Sequence, residues 1–274
     1  MRRNNEDRTK SRRQQQQSVD PAALLDFVTP TEFVELPSKG IGYPSGHPLY
    51  DKETIEIRFM TAKDEDILTS RSLLKKGIAL DRLIDNLLVD KTLRAKDIIV
   101  GDRNAIIIAA RSSAYGHIYE TKVACPSCEH KQKHEFDLSE ADIHEPILND
   151  EIKELENGNY MVTTPFSKME VELRLMTGHD EAVILKIMNK NKNDDNMLTS
   201  QMKLYIVSVN GHKQPEVISH FVNNVPAAEA RYIRNIYQDI APTIEIKGDF
   251  ECESCGYEQE LEVPFNADFF WPDR

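Results

Sequence analysis

The sequence predicts an α+β fold made by internal duplication, in which two lobes each contain a short sheet, about three helices and a Cys-knuckle hairpin. Residues 55–68 read IEIRFMTAKDEDIL, and residues 171–184 read VELRLMTGHDEAVI. A C-x-x-C pair follows in each half, at 125–128 and at 252–255. Motifs repeated in the same order indicate a repeated structural unit. We therefore expect one lobe over residues 21–141 and a second over 142–274.

The N-terminal segment differs in character from the rest of the chain. Its first 13 residues carry six basic and two acidic side chains, and Gln14–Gln17 follow. A segment so polar has little to bury, so residues 1–20 are predicted to form a disordered basic arm. Two interpretations remain open for it, a solvated tail without a role and a docking peptide for an acidic partner.

In the first lobe, Ile55, Ile57 and Phe59 alternate with polar residues, which predicts a half-buried strand. Thr61 followed by Asp64 is a capping-box pattern and predicts a helix start, with the helix ending near Gly77. A second helix is predicted from the apolar face formed by Leu80, Leu83, Ile84, Leu87 and Leu88, and a third helix is predicted to begin with Asp102 as its cap. Strands are predicted at 119–123 and 134–138, on either side of the first cysteine pair.

The second lobe is expected to repeat this order. Val171, Leu173 and Leu175 predict its first strand, and Thr177 with Asp180 predicts the next helix start. Further elements are a surface loop at 189–196, a weaker second helix marked by Met202, Tyr205 and Ile206, a third helix after Pro226, and strands at 244–250 and 259–265. The lobes are expected to join near residues 140–158.

The four cysteines are the clearest chemical signal. All of them fall in the two C-x-x-C pairs, Cys125 with Cys128 and Cys252 with Cys255. Four thiolates suit a tetrahedral zinc ion, and duplicated lobes can bring both pairs to one shared structural Zn²⁺ site. A thioredoxin-like redox pair and free thiols are the alternatives. His130 or His134 is a further candidate ligand near the first pair, although four thiolates already fill the coordination sphere.

Composition and motifs exclude several function classes. The net charge is −12 with a pI near 5.2, which argues against binding nucleic acid phosphates or anionic lipid. The longest apolar run, Ala105–Ala110, is too short to span a membrane, and the N-terminus lacks a secretory apolar segment. No phosphate-binding, dinucleotide-binding or hydrolase motif occurs, and the acids near Thr61 and Thr177 fit helix starts better than catalysis. We expect neither an enzyme nor a small-molecule substrate.

Four aromatic residues lie close together near the C-terminus, at Phe265, Phe269, Phe270 and Trp271. Phe265 continues the alternation of the last predicted strand, so we expect it to pack in the core. Phe270 and Trp271 lie beyond that strand and are predicted to contact a partner protein, because large rigid side chains supply contact area at little entropic cost.

Several motifs together resemble one phage family. They are LPSKG at 36–40 with Tyr43-Pro44, IEIRFMTAKDEDILTS, LLVDK at 87–91, VGDRNAIIIAAR at 100–111 and the CPSC pair. In this order they resemble the baseplate hub and hub-assembly proteins of T-even-type contractile-tailed phages. The resemblance covers about residues 33–140, with the second half matching more loosely. It implies a late, virion-associated or assembly-assisting protein without an enzymatic reaction.

The resemblance leaves two functions open. One is a structural component of the baseplate hub, and the other is a chaperone that holds a hub or tape-measure protein and is absent from the mature virion. Either would act in the host cytoplasm during assembly, and the first would end in the virion tail. A zinc-ribbon nucleic-acid binder is a third possibility, but Glu251, Glu253 and Glu258 surround the second cysteine pair and would repel phosphate.

Overall fold

The computed structural model describes residues 29–190, 196–263, 265 and 267–270. The described residues from Thr31 onward belong to one compact unit. The arm predicted at residues 1–20 lies outside the described residues, as does most of the loop predicted at 189–196. The structure combines helices with small antiparallel sheets, so the predicted α+β class is confirmed.

The first half of the described chain begins with a two-stranded sheet, continues through helices and ends in a hairpin. Antiparallel pairing places Val34 of the first strand opposite Ile55 of the second. The elements are β1 (Thr31–Glu35), β2 (Thr54–Arg58), α1 (Ala62–Thr69), α2 (Arg71–Lys76), α3 (Ala79–Leu87), α4 (Val100–Tyr115), β3 (Ile118–Ala124) and β4 (Lys131–Asp137), with 3-10 turns at Ala95–Asp97 and Leu138–Glu140.

The second half contains a four-stranded antiparallel sheet and another hairpin. Its elements are β5 (Asp142–His144), β6 (Ile152–Glu154), β7 (Tyr160–Thr163), β8 (Glu170–Leu173), α5 (Gly178–Lys190), α6 (Met197–Tyr205), β9 (Ile206–Val209), α7 (Pro215–Asn224), α8 (Ala227–Ile240), β10 (Thr243–Glu245), β11 (Lys247–Glu251) and β12 (Glu258–Glu262), with a 3-10 turn at Ala267–Phe270. The four-stranded sheet has the order β6-β7-β8-β9, while β5 pairs with β10 and β11 with β12.

The predicted capping interaction is present at the start of α1. The backbone N–H and the hydroxyl of Thr61 donate to the Asp64 carboxylate at 2.9 and 2.8 Å. Arg58, at the end of β2, donates two more hydrogen bonds to this carboxylate, at 2.7 and 2.9 Å. Burial opposes ionisation of the Asp64 side chain, which is 1% exposed, but the Arg58 guanidinium and the Thr61 donors lower its pKa to about 2.

The same arrangement recurs at the start of α5. The Thr177 N–H donates to the Asp180 carboxylate at 2.9 Å, and Arg174 donates to it twice at 2.7 Å. Burial again opposes ionisation, while the Arg174 guanidinium and the Thr177 donors lower the pKa of Asp180. The second predicted helix start is therefore confirmed, and an arginine at the end of the preceding strand supports both.

Both halves contribute residues to the main hydrophobic core. Ile57, Leu83 and Ile106 of the first half and Leu173 and Ile233 of the second are fully buried in it. Burial of such side chains is the main favourable contribution to folding. Much of the stability of each half therefore depends on contact with the other.

An ion-pair network around the buried Arg103 also joins the halves, and no sequence pattern indicated it. Arg103 of α4 donates to Asp81 of α3 at 2.8 Å and to Glu181 of α5 at 3.0 Å. A third bond runs to the backbone oxygen of Ala95 at 2.7 Å. A Cβ at Gly178, the first residue of α5, would lie 2.5 Å from the Arg103 guanidinium. The missing side chain at Gly178 makes room for this arginine.

The predicted capping role of Asp102 is wrong. Helix α4 begins two residues earlier, at Val100, and the Asp102 side chain is fully buried. Its carboxylate accepts hydrogen bonds from the Ser38 backbone at 3.0 Å and from the hydroxyls of Ser38 and Tyr43 at 2.7 Å each. Burial raises the pKa of Asp102 despite these donors. Asp102 therefore holds the β1–β2 connection against α4 instead of capping the helix.

Several predicted elements differ in detail from the structure. The helix predicted over 61–77 is interrupted at Ser70, although it ends as expected at Gly77, which has a left-handed φ of 68°. Ile206 begins strand β9 instead of lying on a helix, and α7 was not predicted. The strand predicted over 244–250 is divided at Ile246, because β10 pairs with β5 whereas β11 pairs with β12.

The C-terminal aromatics were predicted only in part. Phe265 is half-buried and packs against the core, as expected. The prediction that Phe270 contacts a partner is wrong, since Phe270 is 2% exposed and Phe269 is fully buried. The Phe269 ring lies 4.9 Å from the ring of Tyr119, so this turn closes the core beside β3. Trp271 lies outside the described residues.

Candidate metal centre

The two cysteine-bearing turns have the same backbone geometry. We call β3–β4 with its connecting turn the first hairpin, and β11–β12 with its turn the second hairpin. In the first, the Cys125 N–H donates to the His130 backbone oxygen at 2.8 Å. In the second, the Cys252 N–H donates to the Tyr257 oxygen at 2.9 Å. Both hairpins present their cysteines from the same kind of turn.

Each turn also contains one residue in the left-handed region of φ. In the second hairpin this residue is Gly256, with φ of 66°, directly after Cys255. In the first hairpin it is Glu129, with φ of 60°. Left-handed backbone is uncommon for a residue with a side chain, so only the glycine could be recognised from the sequence.

The hairpins are in contact with each other beside the cysteines. Strand β11 crosses the face of β4, and a Cβ at Gly248 would lie 2.9 Å from the Phe136 ring and 3.1 Å from Nε2 of His134. The rings of His134 and Phe250 are 5.8 Å apart. This close approach needs a residue without a side chain at Gly248.

All four sulfur atoms meet at the junction of the hairpins. The Sγ atoms of Cys125 and Cys255 are 3.7 Å apart, and those of Cys128 and Cys252 are 3.6 Å apart. All four lie within 4.8 Å of one another. Zn–S bonds of about 2.3 Å in a tetrahedron place sulfur atoms about 3.8 Å apart. The thiols therefore have the spacing of a four-thiolate metal site and can hold a metal ion.

One cysteine of each pair is buried and one is exposed. Cys125 and Cys252 are 1% and 2% exposed and form a small apolar cluster with Phe250, whereas Cys128 and Cys255 are at the surface. The buried pair fixes the site to the protein, and the exposed pair leaves it accessible to an incoming ion.

The thiols of Cys252 and Cys255 differ in pKa. Burial opposes ionisation of Cys252, but backbone N–H donors of Cys255 and Ser254 lower its pKa to about 6. At Cys255 a backbone donor from Tyr257 favours the thiolate, yet proximity to Cys128 and the other thiols outweighs it and raises the pKa to about 12. A bound cation removes this conflict, because metal binding displaces thiol protons.

The histidines near the first pair do not join the four sulfurs. Within the described residues, the one group able to surround a metal consists of the four cysteines alone. The ring of His134 packs edge-on against Phe136 at 4.6 Å, and its Nε2 is buried without a hydrogen-bond partner in the described structure. His134 thus contributes to the packing between the hairpins.

The outer surface of the second hairpin is strongly acidic. Asp249 lies opposite Glu260, and Glu251 lies opposite Glu258, and all four are exposed. Carboxylates paired across strands repel one another and repel phosphate. This surface does not suit a nucleic-acid interface.

Four cysteine ligands would complete a tetrahedral coordination sphere. Such a closed site holds protein segments together and leaves no position open for water or substrate. Separately, no helix within the described residues is long and apolar enough to cross a membrane.

The fold and the sulfur cluster together define an α+β protein with a candidate structural metal centre between two hairpins. Residues 31–271 match the family described as T4 bacteriophage base plate protein. The chain therefore belongs to this family, which confirms the resemblance to T4-type baseplate proteins. The family implies a structural role in the virion tail, in contact with other tail proteins. No curated protein and no solved structure matches the chain.

Proposed function

We propose that this protein is a non-enzymatic structural component of the phage baseplate hub, with a structural zinc ion bound by Cys125, Cys128, Cys252 and Cys255. The observation that carries the proposal is the sulfur cluster inside a chain of the baseplate family. The ion would join hairpins that are more than 120 residues apart in sequence. A structural metal adds its binding free energy to folding, which suits a component that must stay assembled.

The second part of the proposal is that the two halves are an internal duplication. The Arg58–Asp64 pair at the end of β2 has its counterpart in the Arg174–Asp180 pair after β8. A backbone bridge between Ile57 and Leu88 corresponds to the pairing of β8 with β9. The equivalent turns of the two hairpins support the same interpretation. Duplicated halves explain how one site can take two ligands from each.

Partner contacts are proposed to use exposed aromatic side chains. Phe33 on β1 and Phe166 in the turn before β8 are 70% and 74% exposed. Exposed aromatic rings are common at the centres of protein interfaces. We propose other hub proteins or the tape-measure protein as partners, met first in the host cytoplasm and retained in the assembled baseplate.

Mass spectrometry of purified virions tests this function against the chaperone alternative. A hub component should be present at a fixed ratio to other baseplate proteins in particles freed of unassembled protein. Cross-linking within these particles should connect the chain to hub or tape-measure proteins. A chain that is abundant in infected cells but absent from virions would be an assembly chaperone. Cross-links confined to the outer baseplate would contradict the hub location.

A further inference from the structure

One glutamine joins the two hairpins at the cysteine cluster. Gln132, the second residue of β4, donates its side-chain amide N–H to the backbone oxygen of Glu251 at 2.8 Å. Its amide oxygen accepts the backbone N–H of Glu253 at 2.9 Å. These two backbone groups lie on either side of Cys252. A side chain of the first hairpin therefore holds the backbone around a thiol of the second.

The Gln132 side chain bonds to the backbone of the second hairpin in the way that a neighbouring β-strand would. A primary amide offers one donor side and one acceptor side, as a backbone peptide unit does. Gln132 is half-buried, and both of its side-chain hydrogen bonds join the first hairpin to the turn that carries Cys252. Such bonds fix both the distance and the rotation of the Cys252 backbone relative to the first hairpin.

The equivalent contact in the opposite direction is absent from the described structure, and the sequence explains why. Gln259 occupies the position in the second hairpin that corresponds to Gln132. In the first hairpin, Pro126 occupies the position that corresponds to Glu253. Proline has no backbone N–H, so it cannot donate a hydrogen bond to the Gln259 side chain. Gln259 is exposed, and its amide oxygen accepts from the Tyr257 hydroxyl at 3.2 Å. In the described structure, the glutamine contact therefore runs from the first hairpin to the second and has no equivalent in the other direction.

We propose that Gln132 is a positioning residue of the metal centre, which sets Cys252 at coordinating distance from the thiols of the first hairpin. This inference rests on the proposed four-cysteine site. Residues that orient metal ligands without touching the metal commonly change affinity by about 10–100-fold when they are replaced. Gln132 fits this role through the two backbone groups that it holds.

The test compares Gln132→Ala with Gln259→Ala in the full chain. Zinc affinity is measured by competition with a chromophoric chelator, and ligand geometry by the absorption bands of Co²⁺ bound in place of zinc. We expect about a tenfold loss of zinc affinity and altered Co²⁺ bands for Gln132→Ala. Gln259→Ala should match the wild type in both measurements, because its side chain does not reach the other hairpin.

Gln132→Glu provides a second variant, which keeps the acceptor for the Glu253 N–H and loses the donor to Glu251. Its affinity should also fall below that of the wild type, because a carboxylate oxygen would face the Glu251 carbonyl oxygen, and this variant decides the question if Gln132→Ala does not fold. Wild-type affinity and Co²⁺ bands in the Gln132 variants would overturn the positioning role while leaving the metal site intact. A wild-type chain that binds neither ion would instead overturn the proposed site itself.

Discussion

Replacing Asp64 by Asn should lower the free energy of unfolding by an amount that depends on pH. The Asp64 carboxylate is buried, paired with Arg58 and hydrogen-bonded to Thr61, and its pKa is lowered to about 2. In the unfolded chain the pKa of this carboxyl is about 3.9. A difference of nearly two pKa units between the folded and unfolded states corresponds to about 2.5 kcal/mol in the free energy of unfolding. The asparagine variant keeps one acceptor but loses the charge opposite Arg58. We expect a loss of about 2 kcal/mol at pH 7, measured by urea unfolding.

The dependence on pH follows from the direction of the pKa change. Because the folded pKa is the lower one, the stabilisation by Asp64 is complete well above pH 4 and is lost as the pH falls towards 2. The difference between wild type and variant should therefore shrink to about half at pH 3. Both chains carry the same four cysteines, so any effect of low pH on the thiols is common to both and cancels in this comparison.

Asp66→Asn is the matched control, since Asp66 lies on the same helix and is exposed. It removes the same charge without touching the Arg58 network, and we expect a change below about 0.5 kcal/mol. The reasoning would be refuted by an equal loss in both variants. A difference for Asp64→Asn that stayed constant from pH 7 to pH 3 would refute it as well.

Other substitutions test the remaining contacts. Arg103→Met should destabilise the chain by about 2–3 kcal/mol in urea unfolding, because it leaves two partly exposed carboxylates and the Ala95 carbonyl without their buried cation. A loss below about 1 kcal/mol would contradict this. Gly248→Val should push β11 away from Phe136 and weaken metal binding, as followed by zinc competition, with unchanged affinity as the contrary result. Phe33→Ser and Phe166→Ser should leave the melting temperature within a few degrees of wild type but reduce incorporation into virions, and full incorporation would exclude these rings from the interface.

The features that the sequence predicted correctly are those set by local chemistry. The capping pair of Thr61 and Asp64, the glycine helix end at Gly77 and the cysteine turns depend on residues within a few positions of one another. The α+β class followed from the alternation and helical spacing of apolar residues. In these cases the partners are close in sequence, so a short pattern contains the necessary information.

The features that were missed depend on partners distant in sequence. Asp102 looked like a helix cap, but its hydrogen bonds come from Ser38 and Tyr43, about sixty residues away. Phe270 lies beyond the last strand, and only the folded chain places it against the core. Gln132 has no signature at all, since its role depends on where β11 crosses β4. At the candidate metal site, residue types were therefore predictable, whereas the contacts that position them were not.

That the two halves share one metal ion is tested most directly by native mass spectrometry of protein purified without chelator. The wild-type chain should contain one zinc ion, and both Cys125→Ser and Cys252→Ser should lose it to a similar extent, because each removes a ligand of the same sphere. Two zinc ions per chain would contradict the shared site, as would the absence of metal from the wild type. Full retention of the ion in either serine variant would contradict it too.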